Sequence, residues 1–300
     1  MVPTRPIRSK RSLRPAPLKR IDPRVVRGFS AGSEAYEKAR PDYPDEARAF
    51  LTQTFGLGPD KTIVEIGAGT GKWTRQLFAT GARVIAVEPV PAMRRRLRRA
   101  VPGVRIVARR GERTGLPTAS TDLVTVAQAM HWLDAPRALE EFRRILRPGG
   151  GVAVVYNERR EPGIRGKRMK ALLDSYRPKR AWEYTSGRWK WALREDPAFE
   201  PLRLFRFRNR QLFDKAGMMD RYRSISFISA LPPGRRAAFF RKLDGLLEEE
   251  AARTGSRHYI IHYHGKIYWT RLARNSGGAD RSPAPRRLRP PKTRSAPVAN

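Results

Sequence analysis

Residues Glu65-Ile66-Gly67-Ala68-Gly69-Thr70-Gly71 set an acid ahead of three glycines at alternate positions, directly after the apolar pair Ile63-Val64. Glycine lets the backbone approach a ligand closely, and a helix starting behind such a turn aims free N–H groups at it. The spacing suits a bulky polar ligand of nucleotide type. A phosphate-gripping P-loop is excluded, because Ile66 stands where its first glycine belongs and Trp73 where its magnesium-binding hydroxyl belongs. The dinucleotide pattern Gly-x-Gly-x-x-Gly is missed by one residue, since Gly71 comes early and Lys72 takes its place. Glu88 follows Gly67 by 21 residues, at the end of the apolar run Ala82–Val87. An acid so placed can accept hydrogen bonds from both hydroxyls of a ribose, which supports a nucleoside without saying which one.

Further chemistry-bearing residues gather in two short stretches. Gln128-Ala129-Met130-His131-Trp132 closes the run Asp122–Ala127, and Glu112 sits in the loop Gly111–Pro117. His131 is the candidate general base by its ordinary pKa and its position; the competing reading has it packing or orienting a ligand. Trp132 stacks on a ligand or fills core. His262 and His264 share a strand face at i, i+2, but no acid adjoins them, so a structural role is favoured over a metal site. The chain has no cysteine, which excludes disulfides, thiolate metal sites and cysteine nucleophiles.

The elements that carry these residues alternate. The turn follows one strand and precedes a helix with Trp73, Leu77 and Phe78 along it, stopped by Gly81. Ala82–Val87 is a second strand. A helix with Met93, Leu97 and Ala100 inward comes next, and Val104–Val107 is a third strand. Asp122–Ala127 is a fourth. Asp134 caps a helix burying Leu139, Phe142, Ile145 and Leu146, and Val152–Tyr156 is the fifth strand behind Arg147-Pro148-Gly149-Gly150-Gly151. Such alternation predicts an α/β, Rossmann-like, doubly wound and mostly parallel sheet, with ligands beyond the carboxyl ends of its strands. The glycine turn, Glu88, Glu112 and Gln128–Trp132 all fall on that rim.

Residues 29–157 resemble the class I S-adenosylmethionine (SAM)-dependent methyltransferases of the ubiquinone/menaquinone-biosynthesis type, also called methyltransferase type 11. They are most similar to the small-molecule branch that includes trans-aconitate methyltransferase. The resemblance rests on Tyr36…Arg40-Pro41-x-Tyr43-Pro44, the glycine turn, Val87-Glu88-Pro89, Leu116-Pro117, Asp122-Leu123-Val124, Ala127-Gln128-Ala129-Met130-His131-Trp132 and Arg147-Pro148-Gly149-Gly150. It implies a seven-stranded sheet and SAM as cofactor. The cofactor-binding residues it implies are Glu65, Gly67, Ala68, Gly69, Gly71, Glu88, Pro89, Glu112, Arg113 and Gln128. Glu65 and the glycines would hold the methionine end, Glu88 the ribose, and Glu112 with the Arg113 backbone the adenine. Arg113 stands where the family has a small residue. The acceptor implied is a small molecule, a carboxylate or a hydroxyl compound, with His131 as the catalytic candidate and no metal.

A net charge of +35 over 300 residues raises affinity for any polyanion and leaves nonspecific nucleic-acid contact open. An RNA methyltransferase, or a basic SAM-binding protein associated with nucleic acid, is therefore the alternative reading. Against it, the fourth strand lacks an Asn/Asp-Pro-Pro-aromatic motif, and no cysteine exists to attack a pyrimidine. No stretch approaches the ~18 apolar residues of a membrane span; the expectation is a cytoplasmic protein without membrane contact. Residues 1–22 and 274–300, rich in Pro, Ser and Arg, are expected to be disordered arms. The SAM-binding core is expected over 23–157, and 158–273 should complete the sheet with strands at Leu202–Phe207 and Tyr259–Trp269. Between those strands, about 211–257 reads as a helical cap over the rim. Phe213, Phe227 and Ile228 are expected to line its pocket, and Arg221 and Arg223 to anchor anions.

Overall fold

The computed structural model describes residues 40–160, 163–177 and 187–273. Both terminal arms and Tyr36 of the quoted motif lie outside the described residues. Seven strands form one sheet in the order β3-β2-β1-β4-β5-β7-β6. They are β1 Thr62–Ile66, β2 Arg83–Val87, β3 Arg105–Val107, β4 Thr121–Ala127, β5 Leu146–Arg160, β6 Arg203–Phe213 and β7 Tyr259–Arg271. The first five run parallel, and β7 enters antiparallel between β5 and β6. This is the α/β doubly wound architecture expected.

Helices α1 Asp45–Phe55, α2 Lys72–Phe78 and α3 Pro91–Ala100 cover one face; α4 Ala135–Ile145 and α6 Arg188–Glu195 cover the other. The central strand β1 is buried along its whole length, as a strand covered on both sides must be. Ile63 faces the α1/α2 core and Val64 the α4/α6 core, so the alternation of its side chains feeds both layers. Asp122 ties the start of β1 to β4 by accepting the Thr62 N–H at 2.8 Å.

Two strands differ from expectation, both by running longer. Arg147-Pro148-Gly149-Gly150 does not end the pairing: the register to β4 jumps from Leu146 to Gly151, so the segment bulges and the strand resumes. At its far end β5 overshoots the parallel strands, pairing Asn157–Arg160 with His262–Gly265 of β7. β6 likewise continues to Phe213, paired with β7 throughout.

These overshooting strands carry the cap. α5 Gly163–Tyr176, α7 Lys215–Arg223, the short α8 Ser226–Ser229 and α9 Pro233–Thr254 pack with Tyr259, Ile261 and Tyr263 of β7 in a third core. Asp214 caps α7 by accepting the Gly217 N–H at 2.7 Å. The helical segment therefore begins after Phe213 rather than at residue 211. Phe213 and Ile228, expected in a pocket, lie inside this third core, and Phe227 packs against it. No described helix is long and apolar enough to cross a membrane.

Candidate active site

The glycine turn leaves β1 with Gly67, Gly69 and Gly71 all at positive φ, which excludes most other residues sterically. The three glycines differ in purpose. A Cβ on Gly67 would meet the Ala129 methyl at 2.7 Å, and one on Gly71 would meet Leu97 Cδ1 at 2.7 Å, so both are needed for packing. A Cβ on Gly69 would meet only the Gly67 carbonyl at 4.0 Å. Gly69 is open, with space beside it for a ligand.

Beside this turn lies a cleft of about 550 Å³, counted out to open solvent. One wall is the turn itself, from Glu65 to Trp73. A second part of the lining comes from Asn157 of β5, Tyr263 of β7 and Arg221 of α7. Arg40, Pro41 and Tyr43 close a third side. That lead-in is held from both directions: Asp42 accepts from Lys72 Nζ at 3.0 Å and Arg75 Nη2 at 3.1 Å, and its carbonyl accepts from Asn209 Nδ2 at 2.7 Å. Lys72, which spoiled the dinucleotide pattern, thus fastens the lead-in to the turn.

Glu65 is buried, and its Oε2 accepts from Thr74 Oγ1 at 2.5 Å. Burial raises its pKa to about 8, against the Thr74 hydrogen bond. A carboxyl group in that condition suits a cationic partner. Glu88 is buried as well, with Oε2 accepting the Gly69 N–H at 2.8 Å and Oε1 the Val90 N–H at 2.8 Å. Burial raises its pKa in turn. Each carboxylate oxygen keeps further acceptor capacity. Pro89 follows, its carbonyl held by Arg94 Nη1 at 2.8 Å. Arg94 thus fixes this corner.

Gln128 also lines the cleft, at a positive φ of 56° that a non-glycine residue adopts only under constraint. Its Nε2 donates to the Asn157 carbonyl at 3.0 Å, joining β4 to β5 at the rim. Ala68 lines the cleft beside it.

Other expected residues stand apart. Glu112 grips Arg110 through both oxygens and accepts the Asp134 N–H at 3.1 Å, and the Arg113 N–H donates to the Arg110 carbonyl. Neither lines the cleft; they brace the loop that packs on the end of β1. His131 Nδ1 shares a 3.1 Å hydrogen bond with the Tyr156 hydroxyl. Burial, then the charge of Arg40, lowers its pKa to about 4. An ordinary, near-neutral pKa was the ground for His131 as a general base; here its ring is a weak base and is not on the cleft wall. Trp132 packs at 5.1 Å from the His131 ring. His262 and His264 face Arg210 and Arg208 across the β6–β7 pairing, and no metal-binding group exists among the described residues.

Arg221 and Asn157 were unequal in the sequence. Arg221 had been paired with Arg223 as an anion anchor. Arg223 is exposed and bound to Asp220 at 2.7 Å, so only Arg221 faces the cleft. Asn157 had no signal beyond its place at a strand end.

Comparison with known proteins gives this arrangement a family. Residues 64–154 match the model described as a methyltransferase domain. A methyltransferase-like protein of Schizosaccharomyces pombe, itself uncharacterized, is 32% identical over 221 residues, covering 73% of this chain and 85% of that protein. The chain belongs to the type 11 class I SAM-dependent methyltransferases. An uncharacterized methyltransferase of Mycobacterium tuberculosis is 41% identical over 133 residues, 44% of this chain; the match spans about half (53%) of that relative's length. A solved structure of a candidate type II methyltransferase from Anaeromyxobacter dehalogenans has the same fold, with a TM-score of 0.57 at 24% identity over 78% of this chain and 97% of that one. Membership of this family implies SAM as the cofactor, and the residues on the rim fit it: a buried acid in want of a cation, a second acid beside the turn, and an open glycine between them.

Proposed function

We propose that this chain transfers the methyl group of SAM to a small-molecule acceptor held between the glycine turn and the helical cap. The observation that carries the reading is the cleft itself, whose one wall is the turn and whose other wall belongs to β5, β7 and α7. When bound, SAM supplies a methyl group already activated on a cationic sulfur. The protein then has mainly to align the two partners and exclude water, and alignment alone is worth up to about 7–11 kcal/mol.

Glu65 is the partner for the methionine ammonium, and Gly67, Ala68, Gly69 and Gly71 shape the backbone around that end. Glu88 takes the ribose hydroxyls, with Pro89 turning the chain away. Glu112 and the Arg113 backbone shape the edge of the adenine site through the loop they brace. Gln128 holds the rim at β4. His131 orients this rim through Tyr156 and is the catalytic candidate only in that positioning sense. Among the branches of the family, the small-molecule one that includes trans-aconitate methyltransferase suits a cleft of this size best. A groove for a nucleic-acid chain would need an open rim, and here Arg40–Tyr43 and the cap close two sides.

The test is incubation of the full chain with methyl-labelled SAM and a metabolite extract, followed by mass spectrometry. Label in a low-mass product is the expected outcome. Label confined to RNA would overturn the small-molecule reading.

A further inference from the structure

The cap-side wall of the cleft carries a charge that no described residue neutralises. Arg221 is 5% exposed and reaches only the Tyr263 hydroxyl and Ser224 Oγ, each at 3.4 Å. Among the described residues no carboxylate is ion-paired with it. Its electrostatic neighbours include two more arginines, Arg40 and Arg159, and burial with those charges lowers its pKa. A buried guanidinium stays protonated, so this placement is costly unless a ligand completes it.

A second donor waits in the same cleft. Asn157 is 8% exposed, and its Oδ1 accepts from Asn209 Nδ2 at 3.3 Å, which fixes which end of the amide is which. Its Nδ2 is buried without any acceptor. Buried donors are almost always satisfied, and one that is not calls for an explanation. Here a charged donor and a neutral one face one space, and a group with two acceptor oxygens would satisfy both.

Two carboxylates could meet that description: the one at the methionine end of the cofactor, and one on the acceptor. Position separates them. The turn that meets the cofactor lies within the shared domain at residues 64–154, whereas Asn157, Arg221 and Tyr263 all lie beyond it. They belong to the overshooting strands and the cap. The remaining chemistry agrees. Glu65 is committed to the turn, and His131 is off the wall and a weak base. An acceptor already ionised needs no base.

We propose that the acceptor carries a carboxylate and that Arg221 and Asn157 bind it, which makes them the specificity-determining residues of this site. The proposal rests on the methyltransferase reading above and adds the acceptor's chemical class to it. Arg221→Met should leave S-adenosylhomocysteine (SAH) affinity within about threefold of wild type, since its wall is not the cofactor's. It should also hold or raise the melting temperature without ligand, because a charge without a partner is removed.

The experiment is calorimetry on the full chain saturated with SAH, titrated with succinate and benzoate, and with succinamide, benzamide and inorganic phosphate as controls. Wild type should bind at least one of the two carboxylates and neither amide. Arg221→Met should weaken that binding about tenfold or more, and Asn157→Leu, the second variant, less. Equal binding of amides and carboxylates, or no binding of either carboxylate, would overturn the proposal. Preference for phosphate would overturn the assigned class. A tenfold loss of SAH itself in Arg221→Met would instead place the cofactor's carboxylate on Arg221. Failure of wild type to bind SAH would count against the underlying reading, and is scored separately.

Discussion

The two walls of the cleft are built from opposite materials. The glycine wall presents backbone and the buried acid Glu65, with Glu88 bound to the Gly69 N–H, and burial raises the pKa of both acids. The cap wall presents a buried arginine and a free amide donor. Each wall is uncomfortable alone, which is the usual state of a site awaiting ligands of the complementary sign. The walls also differ in mounting. The first hangs on β1 and β4 inside the shared methyltransferase domain, and the second on strands that overshoot the rim and on α7. The division sets a wall inside the matched domain against one outside it.

The largest effect should come from closing the open glycine. Gly69→Val forces a branched side chain onto a positive φ and fills space next to no other side chain. SAH affinity should fall about a hundredfold or more, as strain and blocked approach add. Calorimetry on a variant with native circular dichroism checks it; retained affinity would break the assignment of that wall.

Glu65→Gln sharpens the comparison through pH. Its folded pKa, about 8, lies above the ordinary value of 4.5. Between those values the folded chain keeps a proton that the unfolded chain releases, so the stability this carboxyl lends is present below pH 4.5 and falls as pH rises through 8. The glutamine variant should lose that slope and also lose SAH binding. Urea unfolding of both proteins across this range measures the difference.

His131 should contribute the opposite slope over a lower window. Its pKa drops from 6.5 to about 4, so its contribution is present above 6.5 and is lost as pH falls through 4. Its ring resonances should therefore stay in the neutral position from pH 8 down to about pH 5.5. A midpoint near 6.5 by NMR would restore it as a base candidate. The smallest effect belongs to Arg223→Ala. An exposed pair with Asp220 is worth about 0–1 kcal/mol, and neither SAH affinity nor carboxylate binding should move.

How far the sequence reached depends on what kind of contact does the work. The glycine wall was legible as geometry because close backbone approach demands glycine at fixed positions, and the acid at the next strand's end, Glu88, meets the turn at the Gly69 N–H. The cap wall was legible only in outline. Arg221 and Arg223 look alike in a basic helix, and only the fold turns one inward. Asn157 is one polar residue at a strand end, and its orphaned amide arises from neighbours distant in sequence, such as Asn209. Phe213 and Ile228 were misjudged for a similar reason, since a helical segment this long keeps a core of its own. That core shares Tyr259, Ile261 and Tyr263 with β7, so the cap is best probed by single substitutions, because deletion would strip the strand beneath it.

The division between the walls is tested most directly by a crystal structure of the chain with SAH bound. The homocysteine amino group should lie within hydrogen-bonding distance of the Glu65 carboxyl, and the ribose hydroxyls on Glu88. The fork of Arg221 should then remain open to the cleft. A homocysteine carboxylate bound by Arg221, or a nucleoside away from Glu88, would contradict the account.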